Sequence, residues 1–333
     1  MAPLTIDTHA HILDLETIRL LQKEVPSVAP SLTRIDDDFA QLTVADSHYS
    51  PFPRGGWDLE RRLADMARYG FDRQVVAVCP QTVLYDQDPQ LTLAASQIQN
   101  DQIAALVKAR PDTFYGLATV PMQAPLLAAT ELRRAMTQGG LVGAMIGSNT
   151  EGRNLDDPAL EPFWEVASAL EAFILVHPLK VAGIDRQRSY YLQNFVGNPL
   201  DTTIAAACLV FGGVLERHPG INFLMSHGGG FTPYQAARWE HGWTVRAEAR
   251  VTLKTPPKAS LDRLIYDTIL HDAAPLQFLV DQVGPQRVLL GSDYPFDMGQ
   301  YDAVSVVKSL RLPALDHAAI LGAAALPLLK GLA

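Results

Sequence analysis

The sequence predicts a closed (β/α)8 barrel, a TIM barrel, with one long insertion after its first strand. Three observations carry that prediction. Eight short apolar, β-rich segments recur along the chain, a stretch of helical periodicity follows each, and several histidines and one aspartate fall where those segments end. The strands read at 4–12, 74–78, 114–120, 143–146, 173–176, 222–226, 263–268 and 288–290. Among the helices, 58–69 sets Leu59, Leu63 and Met66 along one face, and 201–217 opens on Asp201-Thr-Thr, an N-cap signal. An open doubly wound sheet shares this alternation, but no GxGxxG or GxxxxGK[ST] turn follows the first strand, so the closed barrel is preferred. Residues 14–57 carry Pro26, Pro30, Pro51 and Pro53 around a polar centre and read as an insertion, a lid over the barrel mouth, rather than as core. Residues 179–198, with Lys180, Arg186, Arg188 and two tyrosines, lie just past the fifth strand, where barrels place substrate loops. No repeat or linker divides the chain, and residues 1–333 are expected to form one domain.

Composition removes several function classes. With 48% apolar residues in 333, the chain can bury a substantial core and is not disordered. Lys and Arg number 27 against 36 Asp and Glu, a net charge of −9 with no basic run, so a phosphate backbone is repelled and nucleic acid is no expected partner. The longest apolar stretch, 320–329, is about half the ~20 residues of a bilayer span and contains Pro327. Asp7, His9 and His11 interrupt any secretory signal at the start. Cys79 and Cys208 are too few for a disulfide framework, which fits a reducing cytoplasm.

His9 and His11 are two residues apart on a strand, so both imidazoles face the same side and can reach one ion. His177 ends the fifth strand, His227 the sixth, and Asp293 follows the eighth, the ends at which such barrels carry their catalytic residues. Three neutral imidazoles and a carboxylate suit Zn2+, with another divalent ion such as Mn2+ as the alternative. A shell left incomplete by the protein would hold a water whose pKa falls toward ~7. His227, in Ser226-His-Gly-Gly-Gly230, reads as a fourth histidine ligand or as a proton carrier. The second is preferred because His9, His11, His177 and Asp293 already supply enough ligands. His271 is expected to start a helix, His48, His218, His241 and His317 to lie on solvated surface, and Cys79 to be a buried, inert thiol.

Ile6-Asp-Thr-His-Ala-His11, Ile174-Leu-Val-His-Pro178, Ser226-His-Gly-Gly-Gly230 and Gly291-Ser-Asp-Tyr-Pro-Phe296, in this order along the chain, resemble the decarboxylase branch of the amidohydrolase superfamily. The nearest likeness is to the aminocarboxymuconate semialdehyde decarboxylase family. The resemblance implies that His9, His11, His177 and Asp293 bind zinc, that His227 is the catalytic histidine, and that Arg238 binds a substrate carboxylate. It also implies a homodimer, since the arginine matching Arg238 can reach a neighbouring subunit's site. The family pattern carries a lysine and a second substrate-binding arginine before its Trp-Asp pair. Here Trp57-Asp58 is kept, Arg54 alone stands nearby at another spacing, and Asn194 replaces a tryptophan of the fifth-strand loop.

A guanidinium offers a bidentate fork to a carboxylate, so Arg238 and Arg54 would anchor an acid. The expected chemistry is non-oxidative decarboxylation of an unsaturated or aromatic carboxylic acid by metal-bound hydroxide and His227, with no organic cofactor. Hydrolysis of an amide, lactone or carbon–carbon bond is the alternative, and hydration a third. A silent barrel that only binds would show a broken ligand set, and this one is complete.

Overall fold

The computed structural model describes residues 3–45 and 47–330. The chain opens on β1 (Ile6–Ile12), then leaves the barrel for a helix at Leu15–Glu24 and for three antiparallel strands, β2 (Ser31–Arg34), β3 (Phe39–Val44) and β4 (Ser47–Pro53). It returns as β5 (Arg73–Val78), β6 (Phe114–Ala118), β7 (Gly143–Gly147), β8 (Phe173–His177), β9 (Asn222–Met225), β10 (Ile265–Asp267) and β11 (Val288–Leu289). These seven and β1 form one parallel sheet in chain order, with helices between successive strands. The predicted strand ends differ from the observed ones by at most two residues.

Closure runs between β1 and the segment after β11. Thr8 N donates to Leu290 O at 2.7 Å, Asp293 N to His9 O at 2.8 Å and His11 N to Tyr294 O at 2.6 Å. The same ladder therefore brings the ends of the first and last strands together. Strands covered on both faces must be apolar throughout, and β8, Phe-Ile-Leu-Val-His, is buried at every position. Around it pack Phe163, Trp164 and Phe223, with Trp164 Nε1 donating to Leu155 O at 3.2 Å.

Three expectations need correction. Residues 14–57 are not only a polar insertion: Ile18, Leu21, Ala40, Leu42, Val44, Phe52 and Trp57 form a second apolar cluster with Leu13, Cys79 and Phe296. β3 alternates buried and outward residues, which lets a short strand contribute to a core despite its polar neighbours. The helix expected at 201–217 begins at Asn198, with Pro199 in its first turn, and breaks into Asn198–Phe211 and Val214–Arg217 at Gly213. Asp201 is no cap; it is buried and accepts from Ser148 Oγ, Asn149 Nδ2 and Ala182 N. His218 is buried rather than solvated, its Nε2 2.8 Å from Glu161 Oε1. His271 precedes a helix, Ala273–Val283, that Asp272 caps. No helix among the described residues is long and apolar enough to cross a membrane.

Candidate active site

His9, His11, His177 and Asp293 meet at one end of the barrel. One ligating atom from each lies within 4.8 Å of every other, and all four residues are buried. Strand geometry explains His9 and His11, whose side chains leave the same face of β1. β8 ends on His177, and the closing hydrogen bond from Asp293 N to His9 O carries the aspartate to the same point.

The second nitrogen of each imidazole fixes what the first can do. His9 Nδ1 is 2.8 Å from Asp267 Oδ2, His11 Nδ1 2.9 Å from Val78 O and His177 Nδ1 3.1 Å from Pro178 O. These acceptors hold the proton on Nδ1 and turn three Nε2 atoms toward one another, the orientation a metal site requires of its histidines. His9 and His11 Nε2 stand 3.1 Å apart, and Asp293 Oδ1 is 3.0 Å from His11 Nε2 and 3.5 Å from His9 Nε2. His177 Nε2 is buried with no protein partner. An orphaned imidazole nitrogen facing a carboxylate and two like nitrogens fits a divalent cation.

The titration behaviour agrees with that fit. Burial and the neighbouring imidazoles hold His177 well below the ordinary histidine value, and burial likewise lowers His11, so both stay neutral and able to ligate. Burial would raise Asp293, but hydrogen bonds with His11 and His227 hold it well below the usual carboxylate range. Burial would lower His9, yet the hydrogen bond to Asp267 and the charges of Asp293 and Asp267 raise it. The two buried carboxylates thus call for positive charge at this point.

His227 stands beside the four, its Nε2 3.4 Å from Asp293 Oδ2 and its Nδ1 without a partner. Both His227 and Asp293 occupy the left-handed backbone region, with φ of 54° and 58°, uncommon for residues other than glycine. Neighbouring structure holds His227 there. Its N donates to Asp267 Oδ2 at 2.9 Å, and Gly228 N donates to Asp267 Oδ1 at 2.8 Å. Gly230 closes the turn at φ 60° and ψ −124°, where a Cβ would lie 2.1 Å from Pro199 O.

Sequence reasoning missed Asp267, which orients both His9 and His227. Its signal was a charged residue within the apolar strand Ile265–Asp267, since a carboxylate buried there must be partnered. Asp267→Asn is expected to weaken divalent-metal affinity about 10–100-fold. Competition against a chromophoric chelator measures this, and unchanged affinity contradicts the orienting role.

A cavity of about 470 Å³, within the range of small-molecule sites, opens above His177, His227 and Asp293. Tyr49, Leu84, Tyr85, Tyr191 and Phe296 wall it, with Asn149, Gln193 and Asn194 as neutral polar groups. Both the 14–57 and the 179–198 segments contribute to the lining. Neither predicted arginine does. Arg54 donates its Nε to Asp58 Oδ2 at 2.7 Å, and that carboxylate also caps the helix Leu59–Tyr69. Arg238 is exposed on the helix Thr232–Val245, beside Phe211, Trp239 and Arg246 in a separate depression. Cys79 is buried and its thiol is pushed up by burial, as an inert thiol should be.

A parallel barrel whose strand ends gather three oriented imidazoles and an aspartate defines the class of metal-dependent (β/α)8-barrel enzymes. Within that class the chain belongs to the Amidohydrolase family, whose profile matches residues 6–330. It is 34% identical over 309 residues to 2-amino-3-carboxymuconate-6-semialdehyde decarboxylase of Dictyostelium discoideum, covering 92% of this chain and 86% of that one. Its fold matches 5-carboxyvanillate decarboxylase of Sphingomonas paucimobilis at a TM-score of 0.83 and 24% identity, over 98% of this chain and 99% of the other. It also matches 5-carboxyvanillate decarboxylase of Novosphingobium aromaticivorans, solved with manganese and 4-hydroxy-3-methoxy-5-nitrobenzoic acid, at a TM-score of 0.81 and 21% identity, over 98% and 96%.

Proposed function

We propose that the protein is a divalent-metal-dependent, non-oxidative decarboxylase of an unsaturated or aromatic carboxylic acid. The observation that carries this reading is the convergence of three Nδ1-anchored imidazoles and Asp293 beneath a cavity floored by His227. The decarboxylase names of relatives and fold neighbours support it. His9, His11, His177 and Asp293 would hold the ion, for which zinc is proposed; the manganese in the Novosphingobium enzyme makes Mn2+ the first alternative to assay. When bound, the ion supplies Lewis acidity toward water and toward a substrate oxygen.

The chain's own residues do the rest. The partly buried ring of His227 delivers a proton to the carbon bearing the carboxylate. The carbon–carbon bond then breaks, its electron pair restores the conjugated system, and carbon dioxide leaves in place of the proton gained. The aromatic wall of Tyr49, Tyr85, Tyr191 and Phe296 positions a flat substrate. We assign residues 14–57 the role of a cover within a single domain, because Val44, Ser47, His48 and Tyr49 line the cavity. Carboxylate anchoring falls to Arg238 of a second copy in a homodimer, since Arg238 does not reach the cavity of its own chain and makes no ion pair among the described residues. Arg54 is the secondary candidate and would have to leave Asp58. Two free cysteines suit a cytoplasmic setting.

Incubation of the metal-loaded enzyme with a panel of carboxylated aromatic and muconate-like acids tests the reaction by product mass. Loss of carbon dioxide is expected. Gain of water, or fragmentation, would replace decarboxylation with hydration or hydrolysis.

A further inference from the structure

The loop after β5 carries two polar groups that the fold leaves unused, those of Gln81 and Tyr85, and both residues line the cavity. That loop is fixed from behind. Thr82 Oγ1 lies 2.8 Å from Cys79 O and 2.7 Å from Gln99 Oε1, while Thr92 Oγ1 and Gln123 Nε2 donate to Leu84 O at 2.8 and 3.2 Å. Tyr85 is 6% exposed, and its Oη accepts from Gly147 N at 3.2 Å. Gly147 ends β7 and pairs in register with His177, so the phenol oxygen stands one strand away from an imidazole of the proposed metal site. The backbone N–H takes a lone pair of that oxygen and leaves its proton free. No acceptor among the described residues receives it. Burial holds the phenol above its ordinary value, so near neutral pH it remains a donor. Gln81 is the complement, for its Oε1 is buried with no hydrogen-bond partner. An unused buried donor and an unused buried acceptor both cost free energy, and a ligand that partners the two offsets that cost.

We propose that Tyr85 and Gln81 determine specificity by binding a hydroxyl or amino group on the carbon next to the one that bears the carboxylate, Tyr85 Oη donating to that group and Gln81 Oε1 accepting from it. This rests on the proposed decarboxylation, and deepens it by naming residues that choose the substrate. A carboxylate only accepts, so it would serve Tyr85 but meet the Gln81 carbonyl oxygen with no proton to share. A hydroxyl serves both. Because the phenol oxygen stands beside the strand that ends on His177, the group it meets is held close to the reacting carbon. A substrate lacking that group leaves the buried donor and acceptor unpaired, which is a strong source of discrimination.

Isothermal titration of the metal-loaded protein with 2-hydroxybenzoate and with benzoate tests the proposal without relying on turnover. The unaltered protein is expected to bind 2-hydroxybenzoate at least about tenfold more tightly. In Tyr85→Phe, which keeps the ring and removes the donor, that ratio should fall at least about fivefold, while metal content stays at one equivalent. The variant also strips Gly147 N–H of its acceptor, which destabilises the protein for either ligand alike and does not move the ratio. Any preference that arises from chelation of the metal is likewise common to parent and variant. Gln81→Met should lower the ratio at least about threefold, and it serves if Tyr85→Phe does not fold. Equal binding of the two acids by the unaltered protein, or a ratio unmoved by both variants, overturns this proposal alone. If neither acid binds, the decarboxylase reading and this proposal fall together.

Discussion

His227→Asn is expected to lower kcat by about 10²–10⁴-fold, the usual contribution of a general acid–base group, while the protein still takes up one equivalent of metal. Asparagine approximates the size of the ring but cannot carry and release a proton near neutral pH. The ion-holding residues have their own supports: Asp267, Val78 O and Pro178 O orient the three imidazoles, and none of those hydrogen bonds passes through the His227 side chain. The contact that is lost is the 3.4 Å approach of His227 Nε2 to Asp293 Oδ2. Single-turnover rates and metal content measured on one preparation separate the two roles. Near-wild-type turnover removes His227 from the chemistry, and loss of the metal in this variant makes it a ligand.

His177→Ala has the opposite signature. It is expected to remove stoichiometric metal and to bring turnover to background together. His177 Nε2 has no hydrogen-bond partner and its Nδ1 bonds only to the adjacent Pro178 O, so truncating the ring breaks no hydrogen-bond network that holds the fold. Without metal, the variant should unfold within about 2 kcal/mol of the metal-free parent, as expected when a side chain is truncated without breaking a network. With metal at a hundred times its dissociation constant the parent should gain about 2.7 kcal/mol, and the variant should gain almost none. Denaturant unfolding with and without added zinc gives both numbers. Equal stabilisation of parent and variant would place the ion elsewhere.

Much of this molecule was legible as sequence because barrel strands are buried on both faces and announce themselves as short apolar runs. β8 and β9 are such runs, and their ends fall where His177 and His227 were expected. The histidines could be placed because a period of two needs no tertiary information. What escaped reading depends on contacts between distant segments. Asp201 looks like an N-cap until its hydrogen bonds to Asn149 and Ala182, some fifty and nineteen residues away, are seen. Arg62 lies on a helix whose pattern points to Leu59, Leu63 and Met66, yet it is fully buried. It donates to Gln74 Oε1 at 2.9 Å and to the His11 carbonyl, and it stacks on Tyr294 at 4.8 Å, so it belongs to the support beneath the site. Gln74 in turn holds Asp7, whose carboxyl burial raises to about 6. No periodicity marks such an arginine. Similarly, Arg54 sits close in sequence to the site but is drawn to Asp58, four residues on, by an ion pair with the carboxylate that also caps the next helix, an interaction that spacing alone cannot rank against a ligand.

The central claim is that His9, His11, His177 and Asp293 hold one divalent ion. Metal content by plasma emission, before and after dialysis against a chelator and after return of zinc or manganese, tests it most directly. One equivalent per chain, activity lost with the ion and restored by adding it back, is the predicted result. A metal-free protein with activity indifferent to chelation would contradict the account.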